Sequence, residues 1–129
     1  MKGTACRALF ERISENQVGA MTSETVVAEI VYVLSSTRGA AYGLSRQDIV
    51  GRLRPLVSLK GLSMPVKPEL LHALDLYQTH TFLDFADALT VAHASHQGLE
   101  SITSYDHDFD RIDGVQRVEP GTGSRQEAA

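Results

Sequence analysis

The stretch Leu83-Asp84-Phe85-Ala86-Asp87-Ala88-Leu89-Thr90-Val91-Ala92, continued through Gly98 to Ser101-Ile102-Thr103-Ser104-Tyr105-Asp106, reads as a helix, a stop, a strand and an acid. Asp84 stands where an N-cap belongs, and Phe85, Ala88, Leu89 and Ala92 share one side at helical spacing. Gly98 supplies the C-terminal stop. Ser101 to Ser104 then reads as a short buried strand. Asp106 follows its carboxyl end, which is where sites form in open α/β sheets.

Working outward, the same alternation recurs. Toward the N-terminus, Pro68 opens a helix through Leu70, Leu71, Leu74 and Tyr77, and Leu62 to Val66 is a short extended stretch that Pro65 marks as an edge or an end. Ser45 caps a helix of about ten residues carrying Ile49, Val50, Leu53 and Leu56, with Asp48 as a capping-box-like acid. Thr22 or Ser23 caps a further helix that stops at the polar run Ser35 to Gly39, and Val18 to Thr22 reads as a brief strand before it. Ala5, Leu9 and Ile13 predict a first helix, with Ala8 beside them. Beyond Asp106 the pattern gives a helical turn near Phe109 to Ile112, a weak strand over Val115 to Val118, and a frayed tail from Gly121. Helices alternating with short apolar strands predict an α/β fold, a sheet with helices on its faces.

The chain has 129 residues, 43% hydrophobic and 22% charged, which fits one compact domain, here placed at residues 1–118 with a flexible tail over 119–129. Disordered and collagen-like classes are excluded by composition. The single cysteine, Cys6, allows no intrachain disulfide, and no apolar run approaches the ~18 residues of a membrane span. With no secretory leader in its first residues, a cytoplasmic protein is expected. There is neither a GxGxxG nor a GxxxxGK[ST] motif, so a nucleotide-triphosphate enzyme is not indicated, and no GxSxG points to a serine hydrolase.

Charge is distributed unevenly. Residues 1–67 hold nine Lys or Arg against five Asp or Glu, whereas residues 68–129 hold three against eleven. Between Asp84 and Asp113 there are seven carboxylates and one arginine. At an effective dielectric of ~20, two carboxylates ~5 Å apart repel by about 3 kcal/mol, so a fold that gathers several must raise their pKa values, solvate them or bind a cation. Glu29 is the sharpest anomaly. Val26, Glu29, Ile30 and Val33 follow i, i+3, i+4, i+7 spacing, which predicts a carboxylate on the stripe that should be buried, unless it reaches solvent from the stripe's edge. Asp84 reads best as a helix cap; Asp87, three residues later, suits either the helix dipole or a site. Asp106-His107-Asp108-Phe109-Asp110 superficially matches a calcium loop, but Arg111 replaces the turn glycine and Arg117 the bidentate Glu. Asp108 and Asp110 therefore read as turn and cap residues, with Asp110 a candidate outer ligand. His93 and His96 lack an HExxH pattern and are expected to be solvated or packed, while Cys6, without an identifiable His partner, is expected to be a small core residue.

Three segments taken in order, Thr22 to Leu34, Leu83 to Leu89 and Thr103 to Asp110, resemble PIN-domain ribonucleases of the VapC toxin type. The resemblance covers nearly the whole chain to about Val118. It implies an α/β/α sandwich around a small parallel sheet, with Glu29, Asp87 and Asp106 as catalytic acids and metal ligands and Ser104 orienting them. It further implies Mg²⁺ or Mn²⁺ as cofactor, water activation and cleavage of RNA phosphodiester bonds, a toxin–antitoxin role, a cognate antitoxin and a homodimer. Arg46, Arg52 and Arg54 are candidate contacts to the RNA backbone, or simply a solvated helix face. Family members open with a strand ending in an aspartate, usually in an Asp-Thr-Asn or Asp-Ala-Asn setting. This sequence opens in what matches the following helix, so the expectation is a domain lacking its first strand and first acid, poorly active as written. The alternative, from a different class, is a non-catalytic interaction protein that binds an antitoxin or dimerises.

Overall fold

The computed structural model describes residues 2–38 and 42–121. Most of the expected tail, from residue 122 onward, lies outside the described residues, as does Gly39 at the end of the predicted helix stop. The order of elements is α1 (Lys2–Ser14), β1 (Ala20–Met21), α2 (Glu24–Ser35), α3 (Arg46–Val57), β2 (Leu62–Ser63), α4 (Lys67–Thr79), α5 (Phe85–His96), β3 (Ser101–Thr103), a 3₁₀ helix over His107–Arg111, and β4 (Gln116–Val118). The α/β alternation read from the sequence is therefore present, with boundaries moved by one to three residues.

Local chemistry explains where the helices start and stop. Ser23 Oγ accepts the Val26 N–H, Ser45 Oγ accepts the Asp48 N–H and Asp84 Oδ1 accepts the Asp87 N–H, each satisfying a donor that has no partner within its own helix. Pro68 lies in the first turn of α4, where its missing N–H removes nothing. At the end of α5, Gly98 takes φ +72, the Leu99 N–H reaches the Ala94 carbonyl and the Gly98 N–H reaches that of Ser95. This is a Schellman-type stop, and it turns the chain into β3.

All strand pairing is parallel. β1 pairs with β2 with Ala20 opposite Leu62, and β3 pairs with β4 with Ile102 opposite Arg117. The expectation of one small sheet needs correction here: among the described residues there are two separate two-stranded ladders. The β1–β2 ladder lies close to the end of α1, since a Cβ on Gly61 would meet the Ile13 carbonyl oxygen at 2.8 Å. Glycine at position 61 is what permits that approach.

One apolar core joins α1 through the 3₁₀ helix and includes Ile13, Val31, Ile49, Leu70, Leu83 and Phe109. Two further expectations are corrected at the core's edge. In α2 the buried residues are Val27 (3% exposed) and Val31 (2%), whereas the predicted core stripe is exposed, Val26 at 44%, Ile30 at 38% and Val33 at 49%. The helix is apolar on most of its circumference, so spacing admits two stripes, and the one without the glutamate faces inward. In α1 only Ile13 is buried; Leu9 and Cys6 are exposed, so Cys6 is not a core residue.

Candidate active site

The beginning of α5 and the segment after β3 bring four carboxylates into one electrostatic neighbourhood. Asp84 caps α5, and Asp87 follows on its first turn, half-buried. Burial pushes the Asp87 carboxyl above its ordinary value of 3.8, and the charges of Asp84, Asp106 and Asp108 raise it further. The Arg111 guanidinium carbon lies 3.8 Å from the centre of the Phe82 ring, so the 3₁₀ helix capped by Asp106 packs on the turn that starts α5, and the like charges oppose ionisation of Asp87.

Asp106 is fixed by its own surroundings. Ser104 Oγ accepts the Asp106 N–H at 3.0 Å, and Asp106 Oδ1 accepts the Asp108 N–H at 2.9 Å, which makes Asp106 the cap of the 3₁₀ helix. The Ser104 N–H in turn donates to the Val118 carbonyl, so the β3–β4 ladder carries the acid at its carboxyl end. Asp110 stands apart. Its Oδ1 accepts from Arg117 Nε at 3.0 Å, its Oδ2 lies 3.2 Å from His107 Nδ1, and the hydrogen bond from Arg117 holds its carboxyl below the usual range. Arg117 also donates to the Ser104 carbonyl and to Glu119, tying β4 to the loop that carries Asp106. Asp108, read from sequence as a turn residue, thus adds its charge to that of Asp106 in raising Asp87; its i, i+2 spacing from Asp106 was the available signal.

Glu29 is not brought to this group. Its exposed side chain lines a separate shallow groove with Val26, Ile30, Val33 and Tyr42, and it makes no contribution to the Asp87 shift. The neighbouring residue Ala28, not Glu29, faces α5, and Glu24 Oε2 meets His93 Nε2 of α5 at 2.7 Å. Among the described residues, no group of three or more His, Cys, Asp or Glu is placed to hold a metal ion as it stands. The carboxylates of these two segments are nevertheless donors of the right kind. They are hard carboxylate oxygens short of positive charge, and Mg²⁺ characteristically takes one or two carboxylates and keeps several waters. Asp87 and Asp106 fit that mode.

Beside the acids lies a cleft of about 540 Å³, lined by Tyr32, Ser35, Ser45, Arg46, Tyr77 and Asp84 among others. Of the three arginines expected to meet a phosphate backbone, Arg46 directs Nη1 to backbone carbonyls instead, and Arg54 pairs with Asp75. Arg52 is exposed.

The family model for the PIN domain matches residues 2–115. The chain belongs to the PIN domain family. PIN domains are generally metal-dependent nucleases that act on RNA or DNA, typically with Mg²⁺, and the helices and small parallel ladders described above are those of a PIN-like α/β fold. No curated protein matches the chain. Among the described residues, no helix of this PIN domain is long and apolar enough to cross a membrane.

Proposed function

We propose that this PIN domain is an endoribonuclease of the VapC type, the toxin of a toxin–antitoxin pair, acting through Asp87 and Asp106 with Mg²⁺ or Mn²⁺. The observation that carries the reading is the Arg111 guanidinium carbon 3.8 Å from the centre of the Phe82 ring, which ties the 3₁₀ helix capped by Asp106 to the turn that starts α5 with Asp84 and Asp87; the like charges around the Asp87 carboxyl are ones a cation would relieve. A divalent ion bound there supplies a Lewis acid for the scissile phosphate and lowers the pKa of a bound water. Ser104 orients the loop of Asp106, Asp84 fixes the start of α5, and the adjoining cleft offers Tyr32 and two serine hydroxyls to a single-stranded substrate. Arg52 and Arg54 on α3 are the proposed phosphate contacts. Asp110, engaged by Arg117, is assigned to shaping the loop rather than to the ion.

Glu29 is the third acid of the same proposal, and its side chain lines a groove of its own with Val26, Ile30 and Val33. A second reading follows from that. The exposed face of α2, with Val26, Ile30 and Val33, suits an antitoxin segment or a second copy, so the chain would bind a partner and cut nothing.

Incubation of the purified chain with single-stranded RNA and, separately, single-stranded DNA in Mg²⁺ or Mn²⁺ tests both readings. The nuclease reading expects RNA cleavage abolished by EDTA and reduced at least a hundredfold in Asp87→Asn and Asp106→Asn, on the scale of losing transition-state stabilisation of about 2.7 kcal/mol or more. Cleavage that is equal in wild type and both variants would remove this site from consideration. Cleavage absent throughout, with an intact fold, favours the interaction protein. Glu29→Gln, assayed alongside, decides whether that acid takes part.

A further inference from the structure

The first residue of α3 reaches across the molecule to the turn that precedes the acidic helix. Arg46 Nη1 lies 2.9 Å from the Tyr77 carbonyl, 3.3 Å from that of His80 and 2.5 Å from that of Leu83, while its guanidinium carbon sits 4.1 Å from the centre of the Tyr77 ring. These carbonyls are the last turn of α4 and the linker that follows it. Carbonyls at a helix C-terminus have no partner within the helix and attract a cation. Leu83 is the residue immediately before Asp84, whose side chain accepts the Asp87 N–H at 2.8 Å. A second arginine holds the same turn: the Arg111 guanidinium carbon lies 3.8 Å from the centre of the Phe82 ring, and Arg111 belongs to the 3₁₀ helix capped by Asp106.

We propose that Arg46 is a positioning residue for the acidic site: by binding the 77–83 carbonyls it fixes the start of α5, and so fixes Asp84 and Asp87 in register with the Asp106 loop. Arg46 acts through the backbone, since it is not among the charges that perturb Asp87. The Phe82–Arg111 contact completes the clamp by tying the Asp106 loop to the same turn. This role differs from a phosphate contact, because Nη1 is directed to the carbonyls of the turn. It rests on the proposed site only for the statement that the acids bind a divalent ion.

The test uses the full chain with Arg46→Met, Arg46→Lys and Phe82→Leu. Amide hydrogen exchange without metal is the first readout. Exchange at Asp87 and Ala88 should quicken in Arg46→Met more than exchange in the middle of α4, with partial recovery in Arg46→Lys, which keeps a donor. Should Arg46→Met not fold, Arg46→Lys and Phe82→Leu carry the same comparison. The second readout is Mn²⁺ titration, where Arg46→Met should bind about tenfold more weakly, the scale of losing an outer support of a metal ligand. The third is binding of uncleaved RNA in EDTA, whose salt dependence should not change. Uniform quickening of exchange through the whole core would reduce Arg46 to a general stabiliser and overturn the proposal. A salt slope smaller by about one would make it a phosphate contact and do the same. If wild type and Asp87→Asn take up Mn²⁺ equally, the metal site itself fails, and the exchange pattern still decides the role of Arg46.

Discussion

At the scale of single residues, two aspartates of the acidic region respond to pH in opposite senses. Asp87 has a carboxyl raised above 3.8, chiefly by burial and then by its acidic neighbours, so the folded chain holds that proton more tightly than the unfolded chain does. The metal-free fold therefore loses stability as pH rises from 3.8, and the loss is complete above the folded value. Asp87→Asn should raise the unfolding temperature in EDTA at pH 7, and the gain should shrink to nothing as pH falls to 3.8 and below. Thermal scans across that range check it, and a variant less stable than wild type at pH 7 would contradict the desolvation argument. Added Mg²⁺ should reverse the ranking by stabilising wild type alone, because only a ligand that prefers the folded state raises its stability. Asp110 behaves conversely. Its carboxyl is lowered by the hydrogen bond from Arg117, so its contribution is present above 3.8 and is lost as pH falls through the folded value. The ionisation of Asp87 on α5 opposes the fold and that of Asp110 in the 3₁₀ helix supports it, which separates a site residue from a scaffold residue. Sequence read Asp110 as a turn or cap residue and a candidate outer ligand, but the Arg117 hydrogen bond that holds it bridges seven positions and is not visible in the alternation of Asp106, Asp108 and Asp110.

At the scale of elements, caps and stops were legible and facing was not. Ser23, Ser45, Asp84, Pro68 and Gly98 each act through the few backbone atoms around them, so their roles survive without knowledge of the rest of the chain. Which side of α2 faces inward depends instead on what packs against it. Val27 and Val31 and the rival set Val26, Ile30 and Val33 are equally helical in spacing, and the presence of Glu29 in the second set was the clue that it faces outward. The expectation of Glu29 beside Asp87 came from the family resemblance, and on this face its side chain opens instead into a groove with Val26 and Ile30. Paired substitutions measure the facing directly. Val31→Ala should cost about 2 kcal/mol by loss of buried methyl groups, while Ile30→Ala, on the half-exposed side, should cost under about 1 kcal/mol. Urea titration of both variants reads the difference. A larger loss at Ile30 would mean that its face is covered in solution, as expected of a self-associating chain, and dilution of the protein would then change the midpoint.

At the scale of the whole molecule, the α/β alternation was predictable because it follows from local periodicity, while the joining of strands was not, because parallel partners are distant in sequence and are chosen by the helices that cross between them. β1 and β2, forty residues apart, and β3 and β4, separated by the acidic loop, form ladders of only two and three residue pairs. Ladders that short contribute little by themselves, so cohesion must come from the helices. The core bears this out in its composition: Leu70 and Leu74 of α4, Ile49 of α3 and Ala88 and Ala92 of α5 are fully enclosed, and the same cluster reaches Ile13 in α1 and Phe109 beside the acids. A core continuous from one ladder to the other should unfold as one unit. Leu74→Ala, with no solvent exposure to lose, should therefore cost about 2–5 kcal/mol and lower the urea midpoint without changing the slope, whether unfolding is followed by far-ultraviolet circular dichroism or by tyrosine fluorescence. Separate midpoints for the two probes would show instead that the halves carrying β1–β2 and β3–β4 melt independently. In that case the register of Asp87 against Asp106, which depends on α5 and the β3–β4 half remaining packed together, would persist after the first transition, and Mn²⁺ would still bind the half-melted chain.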